Sequence, residues 1–182
     1  MPPSPAISAR CRCGQVGMQL AGEPIITATC YCDSCRKAAA VLGARPGAPP
    51  ILRPDSGTDF VLCRKDRATP TSGADRLREY RLGSDAHTRR VVADCCASPM
   101  FLEFDAGHWL SVYRDRLAPE DRPPIETRTM LKDLGPAAAN LDGSVPSSAT
   151  QSGTFMWRLL TAWIAMGFKV PKVRYVNGTL DA

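Results

Sequence analysis

The chain has 182 residues, of which 44% are hydrophobic and 23% charged, enough to bury a core of its own and too apolar for a wholly disordered chain. Its formal net charge of +5 is spread out, with no block of five or six basic residues, so nucleic acid is not expected as a partner. Residues 1–10 carry three prolines and no apolar run of the length a secretory signal needs. The most apolar segment, 159–168, is too short to span a bilayer. A cytoplasmic protein without membrane contact is expected.

From Ile7 to Tyr113 short extended runs alternate with turn residues, the pattern of a mainly β domain. The expected strands are Val16–Leu20, Ile25–Thr29, Asp59–Arg64, Arg76–Leu82, Arg89–Asp94, Met100–Phe104 and Trp109–Tyr113. Turns are expected at residues 21–24, 72–75 and 105–107. The alanine-rich stretch Ser34–Leu42 predicts one or two helical turns ending near Gly43. Residues 1–118 are thus expected to form the β domain.

Residues 119–153 are rich in Pro, Gly, Ser and Ala and predict a loop or arm with at most a short helix over Arg128–Leu134. In residues 154–182, Phe155, Met156, Leu159, Leu160, Trp163, Ile164 and Gly167 recur at helical spacing. They predict an amphipathic helix, ending before Pro171, that packs on the domain or joins two copies in a homodimer.

Eight cysteines in a chain expected in the cytoplasm argue for metal ligation over a disulfide framework. Seven are clustered: Cys11 and Cys13, then Cys30, Cys32 and Cys35, then Cys95 and Cys96. Close spacing lets one turn present several thiolates to one ion, and zinc's four ligands then draw in a distant segment. Gly14 suits a metal knuckle because glycine takes positive φ cheaply. Three thiolates within Cys30–Cys35 leave one corner of a tetrahedron open, the coordination of a reactive site. Cys63, in the run Phe60-Val61-Leu62-Cys63, reads as a buried apolar residue. A vicinal redox pair at Cys95-Cys96 is the rival reading.

Three motifs together resemble the glutathione-dependent formaldehyde-activating enzymes and centromere protein V. They are Cys11-Arg12-Cys13-Gly14-Gln15-Val16, Cys30-Tyr31-Cys32-Asp33-Ser34-Cys35-Arg36-Lys37 and Cys96-Ala97-Ser98-Pro99-Met100-Phe101, within a resemblance running from Ala9 to Tyr113. The resemblance implies a β-tent zinc fold with one or two zinc ions. Cys11, Cys13 and Cys96 would hold a structural ion. Cys30, Cys32 and Cys35 would hold a catalytic ion that accepts the thiolate of glutathione or another small thiol, in a carbon–sulfur lyase reaction whose product in the family is S-hydroxymethylglutathione. The family's third motif is Cys-x-x-Cys, and here Ala93 takes the first cysteine's place. The fourth ligand is then Cys95, a histidine (His87 or His108) or water. Asp33 is a candidate helper, and otherwise a cap of the turn after Cys32. Arg12, Arg36 and Lys37 are candidates for holding an anionic ligand. A zinc-stabilised binding module for nucleic acid or protein, without chemistry, is the alternative function.

Overall fold

The computed structural model describes residues 6–180; the outermost residues of the expected domains, 1–5 and 181–182, lie outside the described residues. Ten strands form two sheets: β1 Ala6–Arg10, β2 Gly17–Ala21, β3 Ile26–Cys30, β4 Thr58–Arg64, β5 Ala68–Ser72, β6 Leu77–Tyr80, β7 Thr88–Ala93, β8 Ser98–Phe104, β9 Trp109–Tyr113 and β10 Thr127–Thr129. The helices are α1 Asp33–Gly43 and α2 Gly153–Ala165. The small sheet has the order β1-β2-β5 and the large sheet β10-β3-β4-β9-β8-β7-β6. Neighbours are antiparallel throughout, except that β10 runs parallel to β3. The expected mainly β fold with a C-terminal helix is the fold observed.

The large sheet buries both faces, and the alternation along β4 shows how. Val61 and Cys63 point into a core shared with Val16, Met18 and Leu20, the side covered by the small sheet. Phe60 and Leu62 point the other way, toward Cys35 of α1 and Leu159 of α2. A strand buried on both faces reads as a continuous apolar run, which is why β4 was readable in the sequence. On the same side as α2, α1 lays Ala38 and Leu42 on Tyr80 and Val92. Cys63 is buried, with burial pushing its thiol up to about 12.

Two expectations need correction. Residues 119–153 contribute a strand, not only a loop: β10 pairs with β3 in the register Thr127↔Ala28 and Thr129↔Cys30. Backbone bonds from Arg128, Leu131, Lys132 and Ser148 then tie the two limbs of this segment together. Three residues with no apolar alternation cannot announce a strand, and the partner strand decides their conformation. Along α2, only Leu159 is fully buried, while Met156, Trp157, Leu160 and Ile164 stay exposed. The helix is fixed by Trp163 stacked on His108 (centroids 5.7 Å apart) and by Arg158, which donates to the Ile25 carbonyl and pairs with Glu126. Among the described residues no helix is long and apolar enough to cross a membrane.

Candidate metal centres

The first centre joins two knuckles 82 or more residues apart. The turn after β1 presents Cys11 and Cys13, and the turn between β7 and β8 presents Cys95 and Cys96; all four sulfurs lie within 4.8 Å of one another. Gly14 takes φ +79°, as a knuckle requires, and Ala97 takes the same left-handed region at φ 51° without glycine's freedom. Val16 N–H donates to Cys11 Sγ at 3.2 Å, and Arg12 N–H to Ser98 Oγ at 3.1 Å.

The sulfur spacing fits a tetrahedral ion. Four thiolates at the usual Zn–S length of about 2.3 Å stand about 3.8 Å apart. Here Cys11–Cys13 is 3.5 Å, Cys11–Cys95 3.8 Å, Cys13–Cys95 3.4 Å and Cys95–Cys96 3.9 Å. The vicinal pair is therefore two free thiols, and all eight cysteines are free. Cys95 stands with Cys11, Cys13 and Cys96 in a group of four sulfurs that could hold one ion, and among the described residues neither His87 nor His108 joins it. His108 is instead buried against α2 and Trp109. Although burial opposes it, hydrogen bonding from Ser98 and Cys13 brings the Cys96 thiol down to about 6.

The second centre is built from one end of β3 and the start of α1. Cys32 is the N-cap, its sulfur accepting from Cys35 N–H at 3.4 Å, so Asp33 is the first helical residue and not the cap. Cys30 Sγ and Cys35 Sγ are 4.0 Å apart. β10 positions the intervening turn, with Tyr31 N–H donating to the Thr129 carbonyl. Hydrogen bonds from Cys30, then Cys35 and Ser34, hold the Cys32 thiol far below its ordinary range. The Cys30 thiol is pushed up to about 11, chiefly by its bond to Cys32. This centre has three sulfurs and no fourth His, Cys, Asp or Glu among the described residues.

Arg90, at the back of this centre, tests whether the donor set suits a metal. It is fully buried on β7, and its Nη2 donates to the carbonyl (2.9 Å) and Oγ (3.2 Å) of Ser34, whose Oγ lies 3.3 Å from Cys32 Sγ. Its Nε and Nη1 make no hydrogen bond of normal geometry, the Tyr113 hydroxyl lies beside the guanidinium, and no carboxylate pairs with it among the described residues. A buried cation without an anion is costly. Three thiolates around a divalent ion carry one net negative charge, the counter-charge Arg90 lacks. The sequence reading missed Arg90, although one arginine at an inward position of a Val-rich strand, two residues before Val92, was a usable signal.

The second centre opens into a cavity of about 400 Å³ whose walls come from β3, β4, β8, β9, β10 and α2. Apart from the three cysteines, no ionisable side chain lines it. The residues expected to hold an anionic ligand are elsewhere. Arg12 donates to the Gly47 carbonyl, Arg36 pairs with Asp33 and donates to the Asp133 carbonyl, and Lys37 is exposed. Asp33 lies outside the cavity too. Phe155 and Leu159, which help close it, come from a helix whose docking site the sequence could not show.

Fold and site together define a mainly β protein with one four-sulfur and one three-sulfur group, each able to hold a metal ion. Residues 6–48, under a quarter of the chain, match the sequence model of the glutathione-dependent formaldehyde-activating enzyme family. That stretch contains Cys11, Cys13, Cys30, Cys32 and Cys35, so the motif resemblance is borne out there. Among solved structures, a crystal structure of a Rhodobacter sphaeroides protein is similar at 17% identity and a TM-score of 0.47, covering 78% of this chain and all of that one. Comparison with curated proteins gave no match.

Proposed function

We propose that the chain is a zinc-dependent carbon–sulfur lyase-type enzyme that makes and breaks the adduct of an aldehyde with a small thiol. The observation that carries this reading is the contrast between the two centres: four sulfurs stand close enough to share one ion at the first, while three at the second face a cavity. A closed thiolate site is structural, and an open one leaves room for a reactant. Zinc bound to Cys30, Cys32 and Cys35 would supply Lewis acidity and lower the pKa of an incoming thiol.

The chain's own residues do the rest. Cys35 N–H and Ser34 Oγ contact Cys32 Sγ, Arg90 would offset the anionic charge from behind, and the walls in front of the sulfurs are largely apolar. In the addition direction a C–S bond forms, the carbonyl π pair moves to oxygen, and the proton lost by the thiol ends on that oxygen; the lyase direction is the reverse. The family match points to glutathione and formaldehyde as the reactants of its members. A wholly non-catalytic zinc module gives no reason for a three-sulfur group opening into a cavity.

Exchange NMR on an equilibrium mixture of formaldehyde and a thiol tests this. The zinc-loaded protein is expected to accelerate interconversion of free and adduct forms at least tenfold, and Cys32→Ala to abolish the acceleration. Equal exchange rates with wild type and Cys32→Ala would refute the assignment.

A further inference from the structure

The cavity in front of Cys30, Cys32 and Cys35 has a second property, its lack of charge. Its walls include Phe60, Leu62, Leu102, Phe104 and Trp109, and its polar rim consists of hydroxyls and one amide: Ser34, Thr88, Ser111, Thr129 and Gln151. Trp109, Met156 and Leu159 also line a second cavity, of about 530 Å³, against α2. Its other walls include Trp157, Leu160 and Trp163. Its one ionisable side chain, His108, is held toward the neutral form by burial.

Glutathione carries two carboxylates and an ammonium group. Moving such groups against apolar walls without partners costs several-fold to many-fold in affinity; no cationic side chain lines the cavity, Arg12 and Arg36 are engaged elsewhere, and Arg90 lies behind Ser34. An uncharged chain gains from the same walls. We infer that the substrate is an apolar thiol or its aldehyde adduct, its sulfur directed at the three cysteines and its chain running past Trp109, Met156 and Leu159 into the second cavity. This rests on the reading of the second centre as an open thiol-binding metal site and replaces glutathione with an uncharged, lipophilic ligand. Both cavity volumes fall within the range of ordinary ligand sites.

The test uses the full-length protein with cobalt(II) in place of zinc, titrated anaerobically with butanethiol, hexanethiol, octanethiol, 2-mercaptoethanol and glutathione while the thiolate-to-cobalt absorption is followed. Affinity is expected to rise with chain length, by up to about fourfold per methylene, and hexanethiol to bind about tenfold or more tighter than glutathione. Met156→Glu, at an exposed position on α2 that lines both cavities, is expected to weaken octanethiol about tenfold and flatten the dependence on chain length. Glutathione binding as tightly as octanethiol, or affinity independent of chain length, would overturn the apolar class and leave the thiol reading standing. A cobalt spectrum indifferent to every thiol would overturn that reading and this inference with it.

Discussion

At the scale of single residues, the two knuckles differ in what they ask of the chain. Gly14 stands at φ +79° with nothing within 4 Å of where a Cβ would go, so Gly14→Ala meets no clash and isolates the conformational cost, about 1–2 kcal/mol. Ala97 already bears a cost of that kind at φ 51°. Thermal or denaturant unfolding of the zinc-loaded protein is expected to show Gly14→Ala less stable and Ala97→Gly more stable by about 0.5–1 kcal/mol; stability unchanged by both would remove knuckle geometry as a stabilising feature. Arg90 makes a different prediction. Groups that orient or balance a metal's ligands typically change affinity about 10–100-fold when removed, so Arg90→Met, which keeps the core filled, is expected to weaken metal binding at the second centre about tenfold while the first keeps its ion. Competition with a chromophoric chelator reads this; unaltered affinity would mean that Arg90 serves packing alone.

At the scale of elements, α2 is held by few contacts, and one of them titrates. Burial lowers the pKa of His108 below its ordinary 6.5, with a backbone bond to Leu159 opposing and Lys65 and Arg64 adding to the shift. Nε2 is buried without a partner, and the ring stacks on Trp163. A histidine whose folded pKa is depressed contributes stability that is complete above the unfolded pKa and is lost as pH falls through the folded value. Acidification below about 6.5 is therefore expected to loosen α2, seen as a change in tryptophan fluorescence from Trp163 and Trp157. His108→Gln should remove that component of the pH dependence and leave the acid loss of metal at the cysteines in place. A wild-type profile identical to that of the variant would contradict this role for His108.

How far the elements were legible follows from what each buries. β4 and β9 bury apolar residues on successive positions and were placed within a residue, and α1 followed from its alanines and Gly43. β1, β5 and β10 were not read as strands: β5 carries Pro70 at the edge of the small sheet, and β10 is three residues held by β3. Pairing decides such segments, and pairing is not written in local periodicity. The site divides the same way. The cysteines were visible because core packing gives no reason for their spacing, whereas Arg90, Met130, Phe155 and Leu159 reach the second centre only through the tertiary fold.

At the scale of the whole molecule, the large sheet separates two tasks. One face, under the small sheet, carries the main core, and the first centre ties the end of β1 to the β7–β8 turn across 84 residues, from Cys11 to Cys95. The other face, under α1 and α2, carries the second centre and its cavity. This division predicts unequal consequences of metal loss: a site joining distant strands contributes folding energy outright, and a site within one turn contributes far less. Cys11→Ala is thus expected to destabilise the whole chain, and Cys32→Ala to leave the β fold intact by circular dichroism.

The most direct measurement of this account is the zinc content of purified wild type, Cys32→Ala and Cys96→Ala by elemental analysis, paired with their unfolding curves. Two ions per chain in wild type, one in a folded Cys32→Ala and a markedly less stable Cys96→Ala are the expected results. A wild type that binds no zinc when folded, or a Cys32→Ala chain that keeps both ions, would contradict it.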